Sequence, residues 1–272
     1  MSTKKKGAGQ VGVFRWLSSW TAALYVFLYL PMLVLLVYSF NEGKRVLIWT
    51  GFAPTKWYVK ALNNEAIQDA AITSLILAVI ATVLATSIAL AVALVLARAG
   101  SFRGRSVTQG LIMLPLVVPE IVTAVATAVF LNFVLAKIGI ELGFGSLIIA
   151  HTVFCIPFAF MPIRARLQDM NTDLEQAACD LYASGWEAFR LITLPLMMPG
   201  IIAGAVLAFV ISLDDFIISN FVATAGSTTL PVYIYSMIRQ GVSPEVNAVS
   251  TILFAISAVL VTIYWFASKP KN

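Results

Sequence analysis

Arg164-Ala-Arg-Leu-Gln-Asp-Met-Asn-Thr-Asp-Leu-Glu175-Gln-Ala-Ala-Cys-Asp180-Leu-Tyr-Ala-Ser-Gly185-Trp-Glu-Ala-Phe-Arg190-Leu-Ile-Thr-Leu-Pro195 is a polar interruption in a chain otherwise saturated with apolar residues. Of its 272 residues, 60% are hydrophobic and only 11% charged, and the mean hydropathy is +0.91. A soluble domain is about half apolar and about a quarter charged. The chain therefore reads as a polytopic membrane protein. The interruption is then a loop pinned to the membrane on both sides, and the apolar runs around it are the spans.

Crossing the hydrocarbon as a helix takes about 20 apolar residues. Charge-free runs of that order occupy 16–41, 70–97, 142–163, 191–213 and 246–268, and a further run, 106–136, is broken only by Glu120. They predict an all-α fold with six transmembrane helices, a single domain over residues 1–272, and the 164–195 loop within it. Residues 216–238 are also uncharged, but Asn220, Gly226, Pro231 and a Ser/Thr cluster mark them as the end of span five followed by a turn or re-entrant segment.

Charge sets the expected orientation. Lys4, Lys5, Lys6, Arg15, Arg98, Arg103, Arg105, Arg164, Arg166, Arg190, Lys269 and Lys271 fall on one side of these spans. Lys44, Arg45, Lys56, Lys60, Lys137 and Arg239 fall on the other, so the 18 basic residues divide twelve against six. The positive-inside rule then puts both termini and the 164–195 loop in the cytoplasm. The net charge of +5 is accounted for in this way, with no nucleic-acid partner required. The first apolar run is longer than a signal-peptide core of about 7–15 residues and reads as a retained span.

Several chemistries lack their residues. There is no G-x-x-x-x-G-K-[ST] to cradle a nucleotide phosphate, no HExxH and no nucleophile elbow. Cys155, in span four, and Cys179, in the loop, cannot meet in a disulfide and read as small apolar fillers. No Cys/His spacing suggests a metal. His151, the only histidine, is expected to hydrogen-bond a neighbouring helix or interfacial water. A conduit fits better than an enzyme. An ion-coupled carrier using Glu120 is an alternative, although the inverted repeats such carriers often contain are not evident.

Within the loop, Thr172-Asp-Leu-Glu175 fits a capping box, with Asp173 and Glu175 at the positive end of the helix dipole. Leu174, Ala178, Leu181 and Gly185 recur at helical spacing and are expected to share a face. Ser184-Gly-Trp-Glu187 fits a second box and starts a helix carrying Trp186, Phe189 and Ile192. Pro195 suits the first turn of the next span. Local pattern leaves two readings open: an amphipathic connector on the bilayer surface, or a helix–turn–helix presented to a partner.

A resemblance favours the second. The loop resembles the EAA signature of bacterial ABC importer permeases: E-A-A, three residues, G, nine residues, I, any residue, L-P. Gln176-Ala177-Ala178, Tyr182, Ile192 and Leu194-Pro195 stand at those spacings, with Gln176 in place of Glu beside Glu175, and Tyr182 in place of Gly near Gly185. Ser212-Leu-Asp214-Asp215-Phe, Thr228-Thr-Leu-Pro231, Gly241-Val-Ser-Pro244-Glu245-Val-Asn247, Tyr38-Ser-Phe-Asn41, Lys56-Trp-Tyr58 and His151-Thr-Val-Phe-Cys155 are similar to the spermidine/putrescine permeases. The resemblance implies a type I ABC importer permease fold. It also implies a coupling element made of Glu175, Gln176, Ala177, Ala178, Asp180, Tyr182, Gly185, Ile192, Leu194 and Pro195. Implied partners are a related second permease in a heterodimer, two cytoplasmic ATPase subunits that hold ATP and Mg, and a periplasmic polyamine-binding protein. This chain would carry no cofactor of its own and would sit among lipid in the bacterial inner membrane.

A carboxylate within a span is costly unless it faces water, a partner or a cation. Glu120 follows Pro119 near the middle of span three, and Asp214 and Asp215 lie toward the outer end of span five. A polyamine needs carboxylates for its ammonium groups and apolar walls for its methylenes. Glu120, Asp214 and Asp215, with Phe209, Phe216 and Phe221, are the candidate path residues. Glu120 could instead make a structural hydrogen bond, and the aspartates could simply end a helix at the interface. Adjacent helical residues point about 100° apart, so one aspartate is expected to face the path and the other to hold the helix end or meet the partner. Ferric iron is an alternative cargo. Glu245 reads as a solvated residue at the start of span six, and the 41–69 segment, with Trp49, Trp57 and Tyr58, as either an interfacial anchor or a rim for the binding protein.

Overall fold

A computed structural model describes residues 15–43, 48–137, 139, 141–240 and 244–268. Lys4, Lys5, Lys6, Lys44, Arg45, Lys269 and Lys271 of the charge count, and the 241–243 part of one motif, lie outside the described residues. The chain runs as α1 (Arg15–Tyr38), α2 (Lys56–Leu62), α3 (Glu65–Arg98), α4 (Arg105–Val117), α5 (Glu120–Lys137), α6 (Phe144–Gln168), α7 (Asp173–Asp180), α8 (Gly185–Ala188), a π-turn over Phe189–Thr193, α9 (Leu194–Asp214), α10 (Ile217–Val222), α11 (Leu230–Gln240) and α12 (Pro244–Ser268). Six segments are long and apolar enough to cross a membrane: Ser18–Tyr38, Glu65–Arg98, Glu120–Lys137, Phe144–Gln168, Gly185–Asp214 and Pro244–Trp265.

The third span departs from expectation. Residues 106–136 form two helices, α4 and α5, rather than one. Pro119 has no N–H to give, and it forces Val118 into extended backbone (φ −79°, ψ 135°). Glu120 therefore sits in the first turn of α5, not mid-helix. The second span starts earlier than hydropathy suggests, because Asn64 Oδ1 accepts from the Ala66 and Ile67 N–H groups and caps α3. Its 34 residues rise about 51 Å, well beyond a hydrocarbon core of about 30 Å.

The packing centre is the trio α3, α6 and α9. In lipid, burial of apolar surface does not by itself favour helix association. Close approach of small residues does. Ala78, Ala81, Ala85, Ala89 and Ala93 form a fully buried stripe on α3. Opposite, α6 offers Ala150, Cys155 and Ala159, and α9 offers Gly200, Gly204 and Ala208. A methyl group on Gly204 would come 2.6 Å from the Ala159 carbonyl oxygen, and one on Gly200 2.6 Å from Arg166 Cβ.

A smaller apolar cluster joins α2, the start of α3, α11 and α12 at the other end of the bundle from the 164–195 loop. There Glu245 is buried rather than solvated: Lys60 Nζ lies 2.8 Å from its Oε2, and Asn64 donates to its Oε1 at 3.0 Å. The 41–69 segment is likewise built. Asn41 pairs with Phe52 in an isolated antiparallel bridge, its side chain accepts from Thr50 N and donates to the Ile48 carbonyl, and its own carbonyl accepts from Trp57 Nε1.

Replacing Gly204 by Ala is expected to cost about 1–3 kcal/mol of stability through overpacking, read as a lower unfolding temperature in detergent. An unchanged temperature would show that α6 and α9 do not depend on this contact.

Candidate functional site

Two sites emerge, one at each end of α9, whose 21 residues separate them by about 30 Å. At the far end from the loop, α9 stops at Asp214 because Asp215 turns extended (ψ 122°). The chain resumes as α10, and the freed N–H groups of Ile218 and Ser219 find the Asp215 carboxylate at 3.3 and 2.8 Å. Asp215 thus spends both oxygens on a buried helix start.

His151, fully buried on α6, spans the same break. Its Nδ1 lies 2.9 Å from Ser212 Oγ on α9, and its Nε2 3.0 Å from Ser219 Oγ on α10 and 3.4 Å from Asp215 Oδ2. One ring nitrogen addresses each side. The expected partner helix is therefore present, and it is two helices. Glu120 completes the cluster: its carboxyl faces that of Asp215, and α5 packs on α10. The break before α5 and the break after α9 meet at this point.

Asp214 goes elsewhere. It accepts from Ser257 Oγ of α12 at 3.1 and 3.0 Å and lines an open cavity of about 320 Å³ with Ile234, Leu253 and Phe254. The two aspartates are separated because only Asp214 is still helical. Phe216 packs on Tyr235 at 4.7 Å between ring centres. Phe209 is half-buried on α9 and Phe221 is exposed on α10. Sequence reasoning did not find Ser212, Ser219 and Ser257. The only available signal was that Ser212 and Ser219 bracket a break that Asp215 itself creates.

At the other end, the 164–195 loop forms α7 and α8. The second capping box is made: Ser184 Oγ accepts from Glu187 N at 3.3 Å, and Glu187 Oε2 accepts from Ser184 N at 2.7 Å. Pro195 opens α9 as expected. The first box is not made. The Thr172 backbone is already helical (φ −70°, ψ −19°) and its side chain caps nothing. Asn171 Oδ1 instead accepts from Asp173 N. Glu175 is drawn away, accepting from Arg98 Nη2 at 2.7 Å and from Thr193 Oγ1 at 2.8 Å. It ties the loop to the end of α3 and to the start of α9. The expected shared face also divides: Ala178 is buried, while Leu174, Leu181 and Gly185 are exposed.

The motif's glycine position has a physical purpose. After α7, Tyr182 N donates to the Cys179 carbonyl and Ala183 N to the Ala178 carbonyl, both at 3.0 Å. This is a Schellman turn, which requires a left-handed residue and usually takes glycine. Tyr182 occupies it at φ 64°, with its ring 98% exposed. Gly185 does not substitute for it, being the first residue of α8 with open space around it. Gln176, Ala177 and Asp180 are open to solvent, while Ile192 and Leu194 are half-buried.

Residues 89–268 match the family described as binding-protein-dependent transport system inner membrane component. The chain belongs to that family. The spermidine/putrescine transport system permease protein PotC of Escherichia coli (strain K12) is 42% identical over 250 residues, covering 92% of each chain. The putrescine transport system permease protein PotI of the same organism is 38% identical over 244 residues, covering 89% of this chain and 86% of PotI. Among solved structures, a chain of a bacterial alginate ABC transporter in complex with alginate pentasaccharide-bound periplasmic protein matches with a TM-score of 0.67 at 20% identity, over 93% of this chain and 92% of that one. That likeness establishes the shared fold. This permease is thus a multi-pass inner-membrane subunit of a transport system, and the matched residues include both the loop and the His151–Asp215 cluster.

Tyr182→Gly is expected to stabilise the loop by about 1 kcal/mol, since a left-handed conformation costs an L-residue roughly 1–2 kcal/mol. Slower hydrogen exchange across residues 173–185 would register it, and faster exchange would show that the tyrosine ring itself holds the turn.

Proposed function

We propose that this permease is one half of the membrane path of an ATP-driven importer that carries polyamines into the cytoplasm. The observation that carries the reading is that Glu120 and Asp214 offer two separate carboxylates around the break that ends α9. Glu120 lies at the meeting of two broken helices, and Asp214 on an open apolar cavity. Each could replace water around one ammonium group of a flexible diamine or triamine, while Phe209, Phe216 and Phe221 offer walls for methylenes. Asp215 holds the geometry rather than the cargo, because its oxygens are committed to α10. The printed substrates of PotC and PotI support the same class of solute.

The inside face is the one carrying the loop and both termini, in keeping with the division of basic residues. A related second permease completes the path, a periplasmic binding protein delivers the amine, and two ATPase subunits hold ATP and Mg at the loop. Closing of the ATPase dimer moves α7 and α8. Glu175 passes that displacement to α3 and α9 together, and the tightly packed trio turns as a body. The path opens outward to receive the amine and inward after hydrolysis. Tyr182, Leu181 and Trp186 are the exposed apolar side chains that meet the ATPase.

Reconstitution with those partners tests this directly. ATP hydrolysis is expected to be stimulated by spermidine or putrescine delivered on the binding protein; stimulation by iron alone, or uptake by this chain without ATP, would overturn the proposal. Glu120→Gln is expected to slow transport about tenfold with assembly intact, and an unchanged rate would remove Glu120 from the path. Glu175→Lys is expected to leave ATP hydrolysis running without transport; normal transport would end the docking role.

A further inference from the structure

A second cavity, of about 240 Å³, lies beside the loop, between the ends of α3 and α6 and the start of α4. Its polar lining is Arg98, Arg105, Arg164, Gln109, Gln168 and Thr172, with no carboxylate among its lining residues. Three arginines lining one small space, with no carboxylate in that lining, favour an anion as its occupant. Only Arg98 has an ion pair among the described residues, with Glu175. Arg105 Nη1 donates to the Gly100 carbonyl, and Arg164 stands over the Phe160 ring at 5.8 Å. Neither contact cancels the charge. The Thr172 hydroxyl, which makes no cap, and the two amides supply further hydrogen-bonding groups.

We propose that this cavity binds a phosphate-bearing anion of headgroup size. Guanidinium forks match phosphate oxygens in geometry and charge. The volume falls below the ~300–1,000 Å³ of pockets that enclose drug-sized ligands, which suits a phosphate group with a small substituent held inside it. Two sources present this chemistry: an anionic phospholipid of the inner leaflet, for which basic pockets between spans at the cytoplasmic side are suited, or free phosphate from the cytosol. The lipid source rests on the inside placement of the loop proposed above; binding of free phosphate does not. Arg98 belongs to both the cavity and the Glu175 contact, so an occupant shares the residue that ties the loop to α3.

The test uses the full chain, purified in detergent. Retained phosphatidylglycerol is compared with phosphatidylcholine by native mass spectrometry, and binding of inorganic phosphate is measured by equilibrium dialysis. The Arg105→Gln/Arg164→Gln pair is expected to lower retention of the anionic lipid, or binding of phosphate, by about tenfold or more. Gln109→Trp, which fills the space and keeps the arginines, is expected to do the same if the cavity itself is the site. Arg103→Gln, two residues before Arg105 but outside the lining, is expected to change neither. Selective loss of phosphatidylglycerol assigns the lipid source, and loss of phosphate binding alone assigns the soluble one. Equal retention of both lipids with no phosphate bound, or equal losses in Arg103→Gln, overturns the proposal. An unfolding temperature near that of the parent chain separates a lost site from a lost fold. Failure of polyamine-stimulated ATP hydrolysis would bear on the transport proposal and not on this one.

Discussion

Inside a bilayer, a helix can be broken only where other groups take over its hydrogen bonds. That constraint governs the junction of α9 and α10. The α9 ladder stops at Asp214, and the orphaned N–H groups of α10 would be left unpaired in the protein interior if Asp215 did not accept them. His151 then holds both sides of the break from a third helix. The break is what frees Asp214 to face an open cavity while Asp215 turns inward. At the other break, Pro119 has no N–H to satisfy and its carbonyl accepts from Val122 N and Thr123 N.

A rigid body joins this end to the loop. The alanine stripe of α3 and the glycines of α9 bring three backbones close enough that none can move without displacing another. Glu175 attaches the loop to two of the three at once. A contact of this kind, partly exposed, contributes little to stability. It does join α7 to the end of α3 and to the start of α9 through a single carboxylate. The strained turn at Tyr182 follows α7, where a positive φ is retained together with a fully exposed side chain.

The opposite end is closed by a collar whose polar groups are also spoken for. Glu245 begins α12, where the helix dipole favours a carboxylate, and Lys60 and Asn64 hold it from α2 and the start of α3. Asn41 holds Ile48 and Thr50 through its side-chain amide. The described residues of the mixed-charge 41–69 segment are therefore held by specific polar contacts.

The apolar runs, by themselves, determined the six spans, the all-α class and the position of the loop, because burial in lipid is a property of consecutive residues. The Ser184–Glu187 box and Pro195 at the start of α9 were legible for the same reason: their partners lie within one turn. The tertiary structure alone decided the rest. Arg98 meets Glu175 across 77 residues, His151 meets Ser219 across 68, and Asn64 meets Glu245 across 181. Such contacts outcompete the local cap expected at Thr172, bury a glutamate expected in water, and split an aspartate pair whose members are adjacent in sequence. Side-chain periodicity reports which face of a helix is apolar; it carries no information about which distant polar group will be waiting there.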